Sequence, residues 1–256
     1  WWCYYCEWLW NTNLTYEWNF GDGSPDVNNT NPNHTYSPPG SYTIQLIATN
    51  TYGCKDTVTK IIPVNIRPLA NFVADTVCFK DTTHFINLTD DRGGTPVTNN
   101  YWNFGDSQTS NQTSPSHYYD SAAQYNVMYV ATNQVGCKDT IIKPVRVWRL
   151  PNTNFSINNI CLYDTLIPIN LSTPTDASFM SSIWDYGDGT VDTTDNPSNL
   201  YVSNGLYQVS LTMIDSNLCK NSIVKPVRVY ALPQADFYSS ATCMSYETYF
   251  FDSTAI

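Results

Sequence analysis

The feature of this sequence that most constrains its fold is a five-residue block that occurs three times. The copies begin at Trp18, Trp102 and Trp184, 84 and 82 residues apart, so one unit of about 82 residues is repeated. In each copy a second aromatic residue follows the tryptophan two positions on, which places both side chains on one side of a strand. A Gly-Asp pair then ends the strand in a turn, because glycine permits positive φ and the aspartate side chain can accept hydrogen bonds from backbone amides.

The block therefore predicts a core anchor followed by a tight turn. The predicted core positions are Trp18, Phe20, Trp102, Phe104, Trp184 and Tyr186, and the predicted turn positions are Gly21, Asp22, Gly105, Asp106, Gly187 and Asp188.

Composition indicates an all-β protein that does not bind nucleic acid. Charged residues make up 13% of the chain, about half the usual share, while β-branched and aromatic residues are plentiful. A net charge of −10 argues against nucleic-acid partners and against anionic membrane surfaces. No apolar run approaches the ~20 residues of a membrane helix, so we expect no membrane insertion in this segment.

The repeat divides the chain into four predicted segments, which are a truncated repeat with an anomalous leader at 1–66, repeats at 67–148 and 149–230, and the start of a further repeat at 231–256. About seven short strands per unit, separated by turn signals, predict small antiparallel β-sandwiches. Short Pro-containing linkers should space these sandwiches along an elongated rod. Each repeat is then expected to contact the neighbouring repeats of the same chain.

Three motifs of the first repeat are shared with a known family. They are Trp-x-Phe-Gly-Asp-Gly at 18–23, Pro-x-His-x-Tyr at 32–36 and Gly-x-Tyr at 40–42. The repeats thereby resemble PKD domains, which are Ig-like sandwiches, over roughly residues 14–256. The second repeat departs from the pattern at Ser107 and Ala123, and the third has Asn199 and Leu200 in place of the usual histidine.

The Gly-x-Tyr motif enters a long predicted strand, and a Gly-Cys-Lys-Asp-Thr stretch follows that strand. This stretch narrows the resemblance to one group of PKD proteins. This version is similar to PKD arrays in large surface adhesins of gliding Bacteroidetes, which are exported by the type IX system. The resemblance implies an extracellular location, at the cell surface or secreted, and a structural or adhesive stalk that contacts surface proteins or polysaccharides. The alternative is a spacer or carbohydrate-binding accessory module of a secreted hydrolase.

No set of residues in the sequence is typical of catalysis, so we expect no enzyme activity. His34 and His117 share one repeat position, which Asn199 occupies in the third repeat, and His84 stands alone. A structural hydrogen bond explains that position better than catalysis does. No cofactor is expected, although the recurring turn aspartates could conceivably hold calcium, which favours clustered oxygens.

The cysteines recur at fixed places, one early in each repeat and one after its long strand. This arrangement predicts a disulfide inside each complete repeat, Cys78 with Cys137 and Cys161 with Cys219, and hence an oxidising compartment. A partner for Cys54 is expected before Trp1, unless Cys3 or Cys6 takes that role, and Cys243 should pair beyond Ile256.

Asp followed by Ser or Thr and then a small, apolar or Thr residue resembles an O-glycosylation sequon of exported Bacteroidetes proteins. It occurs at Thr57, Thr76, Thr82, Ser121, Thr140, Thr165, Thr193 and Ser253. The alternative is that Asp-Thr pairs suit strand ends, with aspartate capping a turn. The Asn-x-Ser/Thr matches at Asn87 and Asn170 are interpreted as strand residues.

Overall fold

The structure is a computed structural model that describes residues 13–255. In this range the regular structure consists of β-strands only, which confirms the all-β prediction. None of the described residues lies in a helix that could cross a membrane. Contacts divide the chain into two units, and each is presented by itself.

Unit 1 comprises the residues up to Val73 together with Ile86–Pro115 and Val127–Lys143. Its first repeat forms a three-stranded antiparallel sheet of β1 (Thr15–Asn19), β2 (Gly40–Thr49) and β3 (Lys55–Val64), in the order β1-β2-β3. Phe20 is buried as predicted, whereas Trp18 is only partly buried.

The second repeat contributes strands to both units. They are β4 (Phe72–Ala74), β5 (Val77–Cys78), β6 (Thr82–Asn87), β7 (Val97–Asn103), β8 (Thr109–Ser110), β9 (Ser116–Tyr118), β10 (Gln124–Asn133) and β11 (Lys138–Trp148). One sheet has the order β5-β11-β10-β7-β8 and the other the order β4-β6-β9. Trp102 and Phe104 are buried, which confirms their predicted place in the core.

Unit 2 comprises Ala74–Phe85, Ser116–Asn126 and the residues from Pro144 onward, including the whole third repeat. The strands of that repeat are β12 (Phe155–Ser156), β13 (Ile160–Cys161), β14 (Thr165–Leu166), β15 (Ile169–Asn170), β16 (Phe179–Asp185), β17 (Val191–Asp192), β18 (Asn199–Leu200), β19 (Gly205–Asp215) and β20 (Lys220–Tyr230). A five-stranded sheet, β13-β20-β19-β16-β17, is accompanied by the pairs β12-β15 and β14-β18.

One core joins all three sheets of the third repeat. Its buried residues are Phe155, Leu166, Trp184, Tyr186, Tyr201, Val209, Leu211, Met213, Val227 and Val229. Alternate positions of β19 supply three of them, because successive side chains of a strand point to opposite faces. The two faces of this core come from different sheets, which is the β-sandwich that the sequence predicts.

The described residues after Tyr230 repeat the opening of the units before them. Strands β21 (Phe237–Ser239) and β22 (Phe250–Asp252) pair antiparallel. An isolated bridge joins Gln234 to Ala255, as equivalent bridges join Asn152 to Thr173 and Leu69 to Asp90. Within residues 13–255 the same opening is therefore seen three times, in the second, third and fourth repeats.

Candidate functional site

The Gly-Asp turns have the same hydrogen bonds in all three repeats. In each turn the aspartate side chain accepts a hydrogen bond from the backbone amide two positions later. The distances are 3.1 Å for Asp22, 3.0 Å for Asp106 and 2.9 Å for Asp188. The glycines before them have φ of 74°, 84° and 74°. These aspartates therefore close turns, as the sequence predicts.

A second contact ties two of these aspartates to the position that the histidine motif predicts. His34 Nε2 lies 2.6 Å from Asp22 Oδ2, and Asn199 Nδ2 donates to Asp188 Oδ2 at 2.8 Å. Hydrogen bonds from Ser24 and then from His34 hold the pKa of the Asp22 carboxyl well below its usual range. Since an amide replaces the imidazole without loss of the contact, hydrogen-bond donation is the property that this position needs.

The pKa of the Asp188 carboxyl is also lowered. Partial burial acts to raise it, but hydrogen bonds from Thr190 and Asn199 outweigh that effect.

His84, the third histidine, contacts Asp75 at 2.9 Å on an exposed surface and takes no part in the turn motifs. Among residues 13–255 no group of three or more His, Cys, Asp or Glu side chains is arranged to hold a metal ion.

The cysteines differ from their predicted pairing. Cys78 is bonded to Cys219, with Cα atoms 5.5 Å apart and a sequence separation of 141, while Cys137 and Cys161 are free. The bond thus joins the second repeat to the third, and the predicted pairs Cys78–Cys137 and Cys161–Cys219 are corrected. Cys3 and Cys6 lie outside the described residues, and Cys54 and Cys243 are free and exposed.

Strand geometry explains why the predicted pairs do not form. In the third repeat Cys161 lies beside Tyr230, the last residue of β20, in a parallel pairing. Cys219 immediately precedes Lys220, the first residue of the same 11-residue strand. At ~3.3 Å per residue the two cysteines are separated by roughly 35 Å, whereas a disulfide needs Cα atoms within about 7 Å.

Polar contacts accompany the disulfide at the junction of the second and third repeats. Asp176, in the loop before β16, accepts the Arg149 amide at 2.9 Å and the Arg146 guanidinium at 3.3 Å. The Arg149 hydrogen bond is the main cause of a lowered pKa of the Asp176 carboxyl. Thr175 also donates to the Leu150 carbonyl at 3.1 Å, so the linker itself is held by the third repeat.

A different set of polar contacts holds the linker before the second repeat, within unit 1. Asn133 Nδ2 donates to the Ile66 carbonyl at 3.0 Å, and Asp139 accepts the Ala70 amide at 2.8 Å. Sequence reasoning missed these junction residues. The only signal was the recurrence of a polar residue just before each hairpin, at Asn50, Asn133 and Asp215.

All eight hydroxyl residues of the proposed glycosylation sequon are exposed. Exposure is a requirement for modification and does not itself establish it, so glycosylation stays a prediction. Asn87 and Asn170 end β6 and β15, which confirms that both are strand residues.

Comparison with known proteins gives one family. Its model, described as PKD domain, matches residues 11–66, 65–147 and 156–230. The pre-pro-metalloprotease PrtV of Vibrio cholerae serotype O1 is 25% identical over 174 residues, which are 67% of this chain and 18% of PrtV. The chain therefore corresponds to less than a fifth of that relative's length.

Solved structures also align with the chain. The crystal structure of the PKD1 domain of Vibrio anguillarum Epp is 28% identical over 33% of this chain and 98% of that domain, with a TM-score of 0.31. The three N-terminal domains of the bacteriophage RB49 outer capsid protein Hoc are 9% identical over 87% of this chain and 89% of theirs, with a TM-score of 0.44.

Proposed function

Because the chain belongs to the PKD domain family, which matches it in three successive segments, we propose that it is part of an extracellular structural stalk. In this proposal the segment belongs to a long cell-surface adhesin or filament, gives it reach, and carries no catalytic residue. The gliding Bacteroidetes adhesins exported by the type IX system are the group we propose for it.

The observation that carries the proposal is that the positions shared by the repeats, over residues 13–255, are core aromatics, turn residues and cysteines, with no set typical of catalysis among them. The recurring polar side chains accept turn amides, and the recurring aromatics fill cores. The linker between the second and third repeats is held by Asp176 and by a disulfide across the junction. A disulfide also supports a location outside the cytoplasm.

A domain swap in the parent protein tests the stalk. Residues 67–230 would be deleted, or replaced by two unrelated β-sandwiches of equal length, and surface attachment of intact cells would be measured. If the segment supplies reach, deletion should reduce attachment and the swap should restore it. Failure of the swap to restore attachment would overturn a role in reach alone and would assign contacts with the target to the segment itself.

A second function is favoured by one finding, the similarity to PrtV, a metalloprotease that contains a PKD domain. In that case the segment would be a spacer or carbohydrate-binding accessory module of a secreted hydrolase. The sequence of the parent protein distinguishes the two functions, because a hydrolase signature beside the segment supports the second and many further repeats support the stalk. Binding of the purified chain to insoluble polysaccharides tests the carbohydrate-binding form of the alternative, which no retention on any polysaccharide would contradict.

Glycosylation of the exposed Ser and Thr residues belongs to the same proposal. A low-charge, Asn- and Thr-rich surface gains hydration from sugars, which also protect edge strands from pairing with other chains. Intact mass spectrometry of natively produced protein should show excess mass that maps to the eight predicted hydroxyls. An unmodified mass would contradict both the glycosylation and the proposed bacterial group.

A further inference from the structure

The cysteines of the described residues occupy two structural positions, and the first lies at the hairpin after the long strand of each repeat. These hairpin cysteines are Cys54, Cys137 and Cys219. The amide of each donates to the side-chain oxygen of the residue four positions earlier, at 3.0, 2.8 and 2.9 Å. In return each carbonyl accepts the amide of that same residue. The three sulfurs therefore start from the same backbone site.

The second position lies early in each repeat, and its members, the leading cysteines, are Cys78, Cys161 and Cys243. The carbonyl of each accepts the amide of the residue three positions later, at 3.0, 3.1 and 3.2 Å. The residue two positions after each cysteine has positive φ, at Lys80, Tyr163 and Ser245. The leading cysteines thus also share one backbone geometry.

Bonds within one repeat are excluded by the strand that separates the two positions. In the third repeat β20 places the leading cysteine at its end and the hairpin cysteine at its start. The second repeat has the same arrangement, since β11 also has 11 residues and Cys78 pairs beside its last residue, Trp148. A leading cysteine can therefore only meet a hairpin cysteine of another repeat.

We propose that the leading cysteine of each repeat bonds the hairpin cysteine of the repeat that follows, so that Cys78–Cys219 is one rung of a ladder of disulfides. Cys161 would bond the hairpin cysteine of the repeat that opens near Pro233, and Cys137 the leading cysteine of the repeat before it. In each bond two thiols lose two protons and two electrons to a disulfide-bearing oxidoreductase, which becomes a dithiol.

The ladder changes how the array carries tension. The main chain and one disulfide both cross each junction, and successive loops overlap because Cys161 lies between Cys78 and Cys219 in sequence. Pulling on the ends then loads only the short segments that run from a hairpin cysteine to the next leading cysteine, such as 137–161. The longer segments between the two cysteines of one repeat, such as 161–219, carry no load even if that repeat unfolds, so they add no length to the array.

Peptide mapping of the parent protein, with thiols blocked before lysis and digestion under non-reducing conditions, tests the pairing. We expect the Cys78 peptide joined to the Cys219 peptide, and the Cys161 peptide joined to a hairpin peptide of the following repeat. Recovery of Cys161 joined to Cys219, or of Cys161 as a free thiol in every molecule, would overturn the ladder. The proposed stalk would survive that result, since the swap experiment does not depend on disulfides.

Force spectroscopy of the 256-residue chain tests the mechanical consequence. The 141-residue separation corresponds to about 500 Å of extended chain, so the oxidised protein should unfold to a contour length shorter than the reduced protein by nearly that amount. Cys78→Ser should show the long contour without reductant. Cys161→Ser, the matched change at the equivalent position, should keep the short contour.

Two outcomes would contradict the mechanical role. Equal contour lengths for the oxidised protein and Cys78→Ser would mean that the bond does not limit extension. A long contour for Cys161→Ser would mean that Cys161, and not Cys78, holds the bond to Cys219. A long contour for Cys219→Ser together with a short one for Cys137→Ser completes the expected pattern.

Discussion

At the scale of single residues, the glycines of the Gly-Asp turns serve two purposes at once. Gly187 has φ of 74°, and a Cβ built on it would lie 2.7 Å from the Gln208 carbonyl oxygen on β19. Gly21 has the same relation to Thr43, at 2.3 Å. The turn therefore needs glycine both for its backbone conformation and because the neighbouring strand passes so close.

A comparison of two glycines of one turn separates these purposes. Gly189 also has positive φ, of 92°, but a Cβ there would meet nothing within 4 Å. Gly189→Ala should cost the third repeat only the conformational term, about 1 kcal/mol, whereas Gly187→Ala should cost about 3 kcal/mol or more. Native-state hydrogen exchange of the third repeat measures both, and equal losses would refute the close-approach argument.

The lowered pKa of Asp188 predicts a pH dependence of the same turn. A carboxyl whose pKa is lower in the folded than in the unfolded chain stabilises the fold at pH values above its pKa in the unfolded chain, which is near 4. This stabilisation is lost as the pH falls through the pKa of the folded protein. The free energy of unfolding of the third repeat should therefore fall below about pH 4, and less steeply in Asp188→Asn.

A change at Asn199 provides the control for that pH dependence. Asn199→Ala removes a hydrogen-bond donor to Asp188, so the free energy of unfolding should also fall less steeply below about pH 4. Asn199→His copies the His34–Asp22 contact of the first repeat and should keep the steep fall. An acid limb of unchanged slope in Asp188→Asn would assign the dependence to other carboxyls.

At the scale of strands, the period-2 pattern of the long strand determines which side chains form the core. Leu211 and Leu206 both lie on β19, but Leu211 is buried and Leu206 is exposed. Leu211→Ala should therefore cost about 2–5 kcal/mol through lost burial and the cavity it leaves. Leu206→Ala, the matched control on the same strand, should change stability by about 0.5 kcal/mol or less. Chemical denaturation of both variants checks the difference.

The strands also mark the limit of what the sequence could predict. The Trp blocks identified the turn residues and five of the six core residues, and only Trp18 is less buried than predicted. The disulfide pairing could not be predicted correctly. It depends on whether the two-residue strand that carries Cys161 pairs with the start or with the end of β20. The parallel pairing of β13 with the last residues of β20 leaves no periodic trace in the sequence.

At the scale of the whole molecule, the elongated rod that the linkers predict can be measured directly. Because the linkers are short and contain proline, the sequence predicts that successive sandwiches are spaced apart rather than folded upon one another. Small-angle scattering of the 256-residue chain should give a pair-distance distribution with a long tail. A symmetrical distribution typical of a compact particle would contradict the rod.

The Cys78–Cys219 bond also affects how the exposed protein survives proteolysis. A protease that cut the linker between Trp148 and Pro151 would sever the main chain there, yet the two repeats would stay attached through the two sulfur atoms. One cut in this linker would then leave the second and third repeats joined, and their separation would require a second cut or a reductant. If the protein works outside the cell, as proposed, such tolerance of damage suits a molecule that cannot be repaired there.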